Sequence, residues 1–156
     1  MKQWRMGIML CMVGLVVLSG CAVKQQVNKL LRVTRVTISL EPRGNVNDGI
    51  LLPVDIMAVD TQLGATILGI GPDAWFGDPL RDRLSGDQIH RLAISGENAR
   101  KIKINLAENT RRIIVFADYD RSDERMEQQV VIIPESIGFY KTYNIQLGEI
   151  KMEMLK

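Results

Sequence analysis

The chain has 156 residues, with 20 Lys and Arg against 18 Asp and Glu, one His and two Cys. That length holds one domain. The near-balanced charge gives no sign of the concentrated basic face of a nucleic-acid binder, and one imidazole with two thiols cannot supply the four Cys and His ligands of a structural zinc site.

Lys2 and Arg5 precede an uncharged run from Met6 to Leu18, and the small Ser19 and Gly20 then lead to Cys21. A charged start, an apolar stretch of about 7–15 residues and small residues before a cut describe a secretory signal. A spanning helix needs about 20 apolar residues, and polar residues return at Lys24. The ending Leu18-Ser19-Gly20-Cys21 resembles the lipobox of bacterial lipoproteins. The chemistry suits the residue types: the Cys21 thiol takes the diacylglycerol, and small neighbours let a peptidase cut just before it. The expectation is a signal over 1–20, a lipidated tether over 21–31 and a folded domain over 32–156. Two lipid signals already anchor a protein stably, and lipoproteins of this kind carry three acyl chains. Ala22 stands where an Asp would commonly retain a proteobacterial lipoprotein at the inner membrane, so the resemblance implies the outer membrane, facing the periplasm. Cys11 goes with the signal and Cys21 with the lipid, which leaves no thiol for a disulfide, a metal or catalysis. Apart from the covalent lipid on Cys21, no cofactor is expected.

Beyond the tether the chain reads as short strands between turn signals, the pattern of an all-β sandwich of about seven to eight strands. The first covers 32–40, where Val36, Ile38 and Leu40 alternate with polar residues. Residues 41–49 (EPRGNVNDG) are dense in turn formers and read as a long exposed loop. The second strand covers 51–59, with Leu52, Val54, Ile56 and Ala58 on one face and Pro53 suggesting a sheet edge. Residues 61–83 carry repeated Gly and Pro and promise only one or two helical turns, starting at the Asp78-Pro79 N-cap. Trp75 and Phe76 are expected to pin this insertion to the core, the commoner use of such rings, though an exposed anchor for a partner stays open. Further strands cover 89–94, 100–106 with Ile102, Ile104 and Leu106 inside, 113–119 apolar on both faces, and 129–133. A last strand runs from Tyr143 to Leu155 with a bend or bulge at Gly148.

The densest carboxylate group is Asp118, Asp120, Asp123 and Glu124. An EF-hand loop starting at Asp118 needs Gly at its sixth position and Glu at its twelfth, where this chain has Asp123 and Gln129. With Arg121 and Arg125 interleaved, the segment reads as a solvated hairpin tip. A Ser-His-Asp triad would have to use His90, and no motif supports one. Asp82, Asp87 and Glu97 show no informative pairing. No catalytic and no metal residue is therefore assigned, and the chain is read as a non-enzyme.

Several of these features, in this order, resemble the TssJ family, the outer-membrane lipoproteins of the type VI secretion system. The residues are the lipobox at Cys21; Asn47-Asp48-Gly49 leading to Pro53-Val54; Leu84-Ser85-Gly86-Asp87; Ser95-Gly96-Glu97 before the strand Ile102 to Leu106; the strand Ile113 to Asp120; and Val130 to Pro134. Where the family often has a Trp after the acidic turn this chain has Met126, and Asp55 and Met57 stand where an Arg and an aromatic are usual. The resemblance implies a transthyretin-like β-sandwich with a short helical insertion. It also implies a structural tether that binds the periplasmic C-terminal domain of the inner-membrane protein TssM. Carried over, the partner-binding loop holds Asn47, Asp48 and Gly49. A pilotin-like lipoprotein that escorts an outer-membrane secretion protein is the alternative. A ligand-binding envelope domain would need converging polar groups in a pocket, which the sequence does not supply.

Overall fold

The computed structural model describes residues 33–120, 125–134 and 140–155. The expected signal, the tether with Cys21 and Ala22, and the acidic residues Asp123 and Glu124 lie outside the described residues.

Strand β1 (Arg35–Pro42) lies between two neighbours in a first four-stranded sheet. On one side β4 (Arg100–Asn105) runs antiparallel to it; on the other β7 (Lys141–Leu147) runs parallel, with β8 (Met152–Met154) beyond. The second sheet has the order β3 (Ile89–Ile94), β2 (Leu52–Val59), β5 (Arg112–Ala117), β6 (Gln129–Ile132), all antiparallel. The expected sandwich of seven to eight strands is met by these eight.

The alternation predicted for the strands builds the core between the sheets. Val36, Ile38 and Leu40 of β1 meet Leu52, Val54, Ile56 and Ala58 of β2 there, with Ile104, Ile113, Val115 and Ile145. The other face of the second sheet is buried too. Met57, Val59, Ile114 and Phe116 form a second cluster with Ile67, Trp75 and Leu84 from the insertion between β2 and β3. This covering explains why β5 is apolar on both faces.

The insertion is more helical than its glycines suggest. It contains α1 (Thr61–Ile70), α2 (Pro72–Trp75) and α3 (Pro79–Arg83). The expected N-cap holds, with Asp78 Oδ1 accepting from the Leu80 N–H at 2.7 Å. Helix α1 is the unexpected element. Asp60 caps it by accepting from the Leu63 N–H at 2.9 Å. Gly64 serves packing rather than breaking, because a Cβ there would lie 3.1 Å from Arg112 Cδ and 3.4 Å from Val59 Cγ2.

Two further expectations change. Pro53 sits in a strand with neighbours on both sides, facing Ala93 of β3, while the β5 ladder begins one residue later at Val54. A missing N–H is tolerated so close to a strand's start. Residues 143–155 are also not one bent strand. Between β7 and β8 the chain turns back, with the Gly148 N–H on the Lys151 carbonyl at 2.8 Å, and Leu147 pairs Met152.

Candidate functional site

The β1–β2 connection lies at the end of the sandwich where β1, β5 and β7 finish and β2 and β8 begin. It contains a 3-10 turn, Val46–Gly49, whose backbone is left-handed through three residues. The φ values are +49° at Asn47, +54° at Asp48 and +79° at Gly49. Asn, Asp and Gly are the residue types that tolerate this region, so the Asn-Asp-Gly run has a backbone reason. Each non-glycine residue held there costs about 1–2 kcal/mol, which the surrounding bonds must offset.

Those bonds fold part of the long exposed loop inward, at Val46 and Asn47, while residues 43–45 stay exposed. Val46 and Asn47 are buried; Asp48 is half-buried and Gly49 exposed. The Asn47 N–H donates to the Glu149 carbonyl at 3.0 Å, and the Arg43 N–H donates to the Leu147 carbonyl at 2.8 Å. Asn47 Oδ1 accepts from the Asp120 N–H at 2.9 Å. The Tyr119 hydroxyl, in turn, donates to the Lys151 carbonyl at 2.9 Å. Three segments are thereby joined: residues 43–51, the stretch after β5, and the β7–β8 turn. Asn47 Nδ2 is buried and has no hydrogen-bond partner among the described residues.

Immediately after the turn, large apolar side chains face solvent. Ile50 is 52% exposed and Leu51 53%, and Ile150 on the adjoining β7–β8 turn is 41% exposed. Sequence reasoning missed them. The signal was available in Ile50-Leu51, two aliphatics placed directly after a turn and before the alternation of β2 begins.

A second polar cluster sits under the insertion. Asp55, fully buried in β2, accepts from Trp75 Nε1 at 2.8 Å, from Arg81 Nε at 2.6 Å and from Arg81 Nη2 at 3.2 Å. The bond to Asp55 is the main cause of a raised Arg81 pKa. Trp75 is fully buried and meets Phe116 edge-on at 6.0 Å between centroids, whereas Phe76 is half-buried beneath the Arg81 guanidinium. Trp75 is therefore core, as expected. Two of the three departures from the family pattern have structural roles: Met57 packs in the second cluster and Asp55 has its countercharge in Arg81. With its oxygens taken by three N–H donors, Asp55 is arranged to hold α2 and α3 on the sheet.

The remaining candidates do not converge. Asp118 is half-buried and Asp120 exposed; burial first, then repulsion from Asp120, pushes the Asp118 pKa up. Burial likewise raises the Tyr119 pKa. His90 and Asp87 line an open groove of about 370 Å³ with Lys103 and Asn105, while Asp82 and Glu97 are exposed elsewhere. Among the described residues no three His, Cys, Asp or Glu could hold a metal ion, and no helix is long and apolar enough to cross a membrane.

No protein-family profile and no curated relative matches the chain. Solved structures do. The T6SS lipoprotein TssJ1 from Pseudomonas aeruginosa is similar with a TM-score of 0.59 and 23% identity, over 79% of this chain and 95% of that one. Serratia marcescens Lip, a membrane-bound component of the type VI secretion system, gives 0.60 and 13% identity, over 79% and 98%. A chain in the structure of the T6SS protein TssM C-terminal domain from EAEC gives 0.62 and 14%, over 80% and 99%. The fold is TssJ-like.

Proposed function

We propose that this chain is a non-enzymatic structural tether of a type VI secretion membrane complex. In this reading Cys21 carries the lipid that holds the chain at the outer membrane, with Ala22 directing it there. The β1–β2 loop, which holds Asn47, Asp48 and Gly49, takes the periplasmic C-terminal domain of a TssM-like inner-membrane protein. The observation that carries the reading is the TssJ-like sandwich on a chain whose Leu18-Ser19-Gly20-Cys21 also resembles a lipobox. The braced loop end adds support, because binding residues are commonly held on loops by a rigid scaffold.

Replacing Cys21 by Ser tests the anchor. The expected result is loss of the chain from the membrane fraction and loss of secretion, while the thermal melt of the folded domain is unchanged. Full secretion by Cys21→Ser would sink the tether mechanism. Mislocalisation of an outer-membrane pore protein in that strain, with the TssM-type protein unaffected, would favour the escort reading instead.

A further inference from the structure

We infer that Asn47 is a positioning residue of the docking loop, lying beneath the binding surface, and that Ile50, Leu51 and Ile150 are the side chains that meet the partner. The inference rests on the tether reading above and commits to the same occupant, the TssM-type periplasmic domain, through an apolar patch on it.

Asn47 is only 3% exposed, so a rigid partner cannot reach its side chain. What it does reach is the rest of this end of the sandwich. Its side-chain oxygen takes the Asp120 N–H, its own N–H goes to Glu149, and its carbonyl accepts from the Ile50 N–H at 2.9 Å. One residue thus fixes the stretch after β5, the turn that carries Ile150 and the first residue of the exposed pair. The backbone at Asn47 and Asp48 is in a conformation that a chain free to choose seldom adopts. Such strain persists only where the surroundings over-determine it. Releasing the side-chain bond should therefore let the turn relax, moving Ile50 and Leu51 from the positions in which they are now held.

The patch differs in kind from the pin. Ile50 and Leu51 are adjacent, more than half exposed, and stand on the β2 side of the turn; Ile150 stands on a turn bonded to the same residue. Held in place before binding, they lose little freedom on association, which favours affinity.

The experiment titrates the full-length lipidated chain, in detergent, with the purified periplasmic C-terminal domain of the TssM-type protein. Hydrogen exchange at the Asp120 amide is followed in parallel. Asn47→Gly keeps the left-handed backbone and removes the buried side chain together with its bond to Asp120. It is expected to speed exchange at Asp120 about tenfold, to leave Val115 unchanged and to weaken binding about tenfold. Asn47→Asp, which retains an acceptor, restores most of the Asp120 protection. Leu51→Ser weakens binding about tenfold with exchange at Asp120 unaltered. The double change Asn47→Gly with Leu51→Ser loses clearly less than the product of the two, because both act through one surface. Unchanged binding or unchanged Asp120 exchange in Asn47→Gly overturns the inference, and so do fully multiplicative losses. A wild-type chain that does not bind the domain at all overturns the tether reading itself, a result distinct from the others.

Discussion

Asp55 and Asn47 both hold irregular chain against the sandwich, and they do it on opposite terms. Asp55 has a countercharge and three N–H donors, on regular strand backbone. Among the described residues, Asn47 has one side-chain bond, a buried amide without a partner, and a left-handed backbone. A buried donor left unpaired costs about 1–3 kcal/mol. The satisfied pin fastens a helical cover and displays nothing. The half-satisfied pin fastens a loop that displays two exposed aliphatics. Local rules tend to be broken at sites whose shape matters more than their stability, which agrees with the docking role proposed for the loop end.

The comparison breaks most readily at Asp55. Asp55→Ala leaves the Arg81 guanidinium and the Trp75 N–H without their acceptor. A loss of about 3 kcal/mol of unfolding free energy is expected, read from urea melts at pH 7. A loss below about 1 kcal/mol would show that the insertion does not depend on this pin. Paired replacement of Ile50 and Leu51 by Ser sharpens the other side. Stability in the same melts should stay within about 0.5 kcal/mol of wild type, since neither side chain is in the core.

The smallest effect concerns Asp118, which is penalised in its charged form. Its folded pKa is raised by burial and by Asp120, so the folded chain holds that proton more tightly than the unfolded one. The ionised group therefore lowers stability above the folded pKa, and the penalty vanishes below the unfolded value near about 4. Asp118→Asn should raise the melting temperature at pH 7 by about 1 °C, discounted for solvent screening. The gain should disappear near pH 3; a gain independent of pH would exclude this cause.

Much of the sandwich was legible because one face of each strand meets a core. Val36, Ile38 and Leu40 announce β1, and Ile102 and Ile104 announce β4, by period alone. The Asp78-Pro79 cap was legible for the same local reason. Helix α1 was hidden because Gly64 and Gly69 read as breakers, whereas Gly64 is small so that α1 can approach Val59 and Arg112. The β7–β8 hairpin was hidden because alternation continues through Gly148 whether the chain bends or reverses. Within the candidate site, the Asn47-Asp48-Gly49 turn was visible as a turn, but not the inward direction of Asn47. That direction depends on Asp120 and Glu149, far along the chain. The Asp55–Arg81 pair is equally non-local. Its only trace is a carboxylate inside the apolar run of β2, which signals a buried charge in need of a partner.

The position of β1 has a mechanical consequence. The strand begins at Arg35 and delivers the chain, eight residues and about 25 Å later, to the loop end. Under the proposed anchoring, membrane and partner therefore pull at opposite poles of one strand. Because β1 is paired with β4 and β7 along its length, that tension runs parallel to the strand and shears both ladders together. Peeling them one bond at a time would need a force from the side, so under that anchoring β1 would resist being stretched along its own axis.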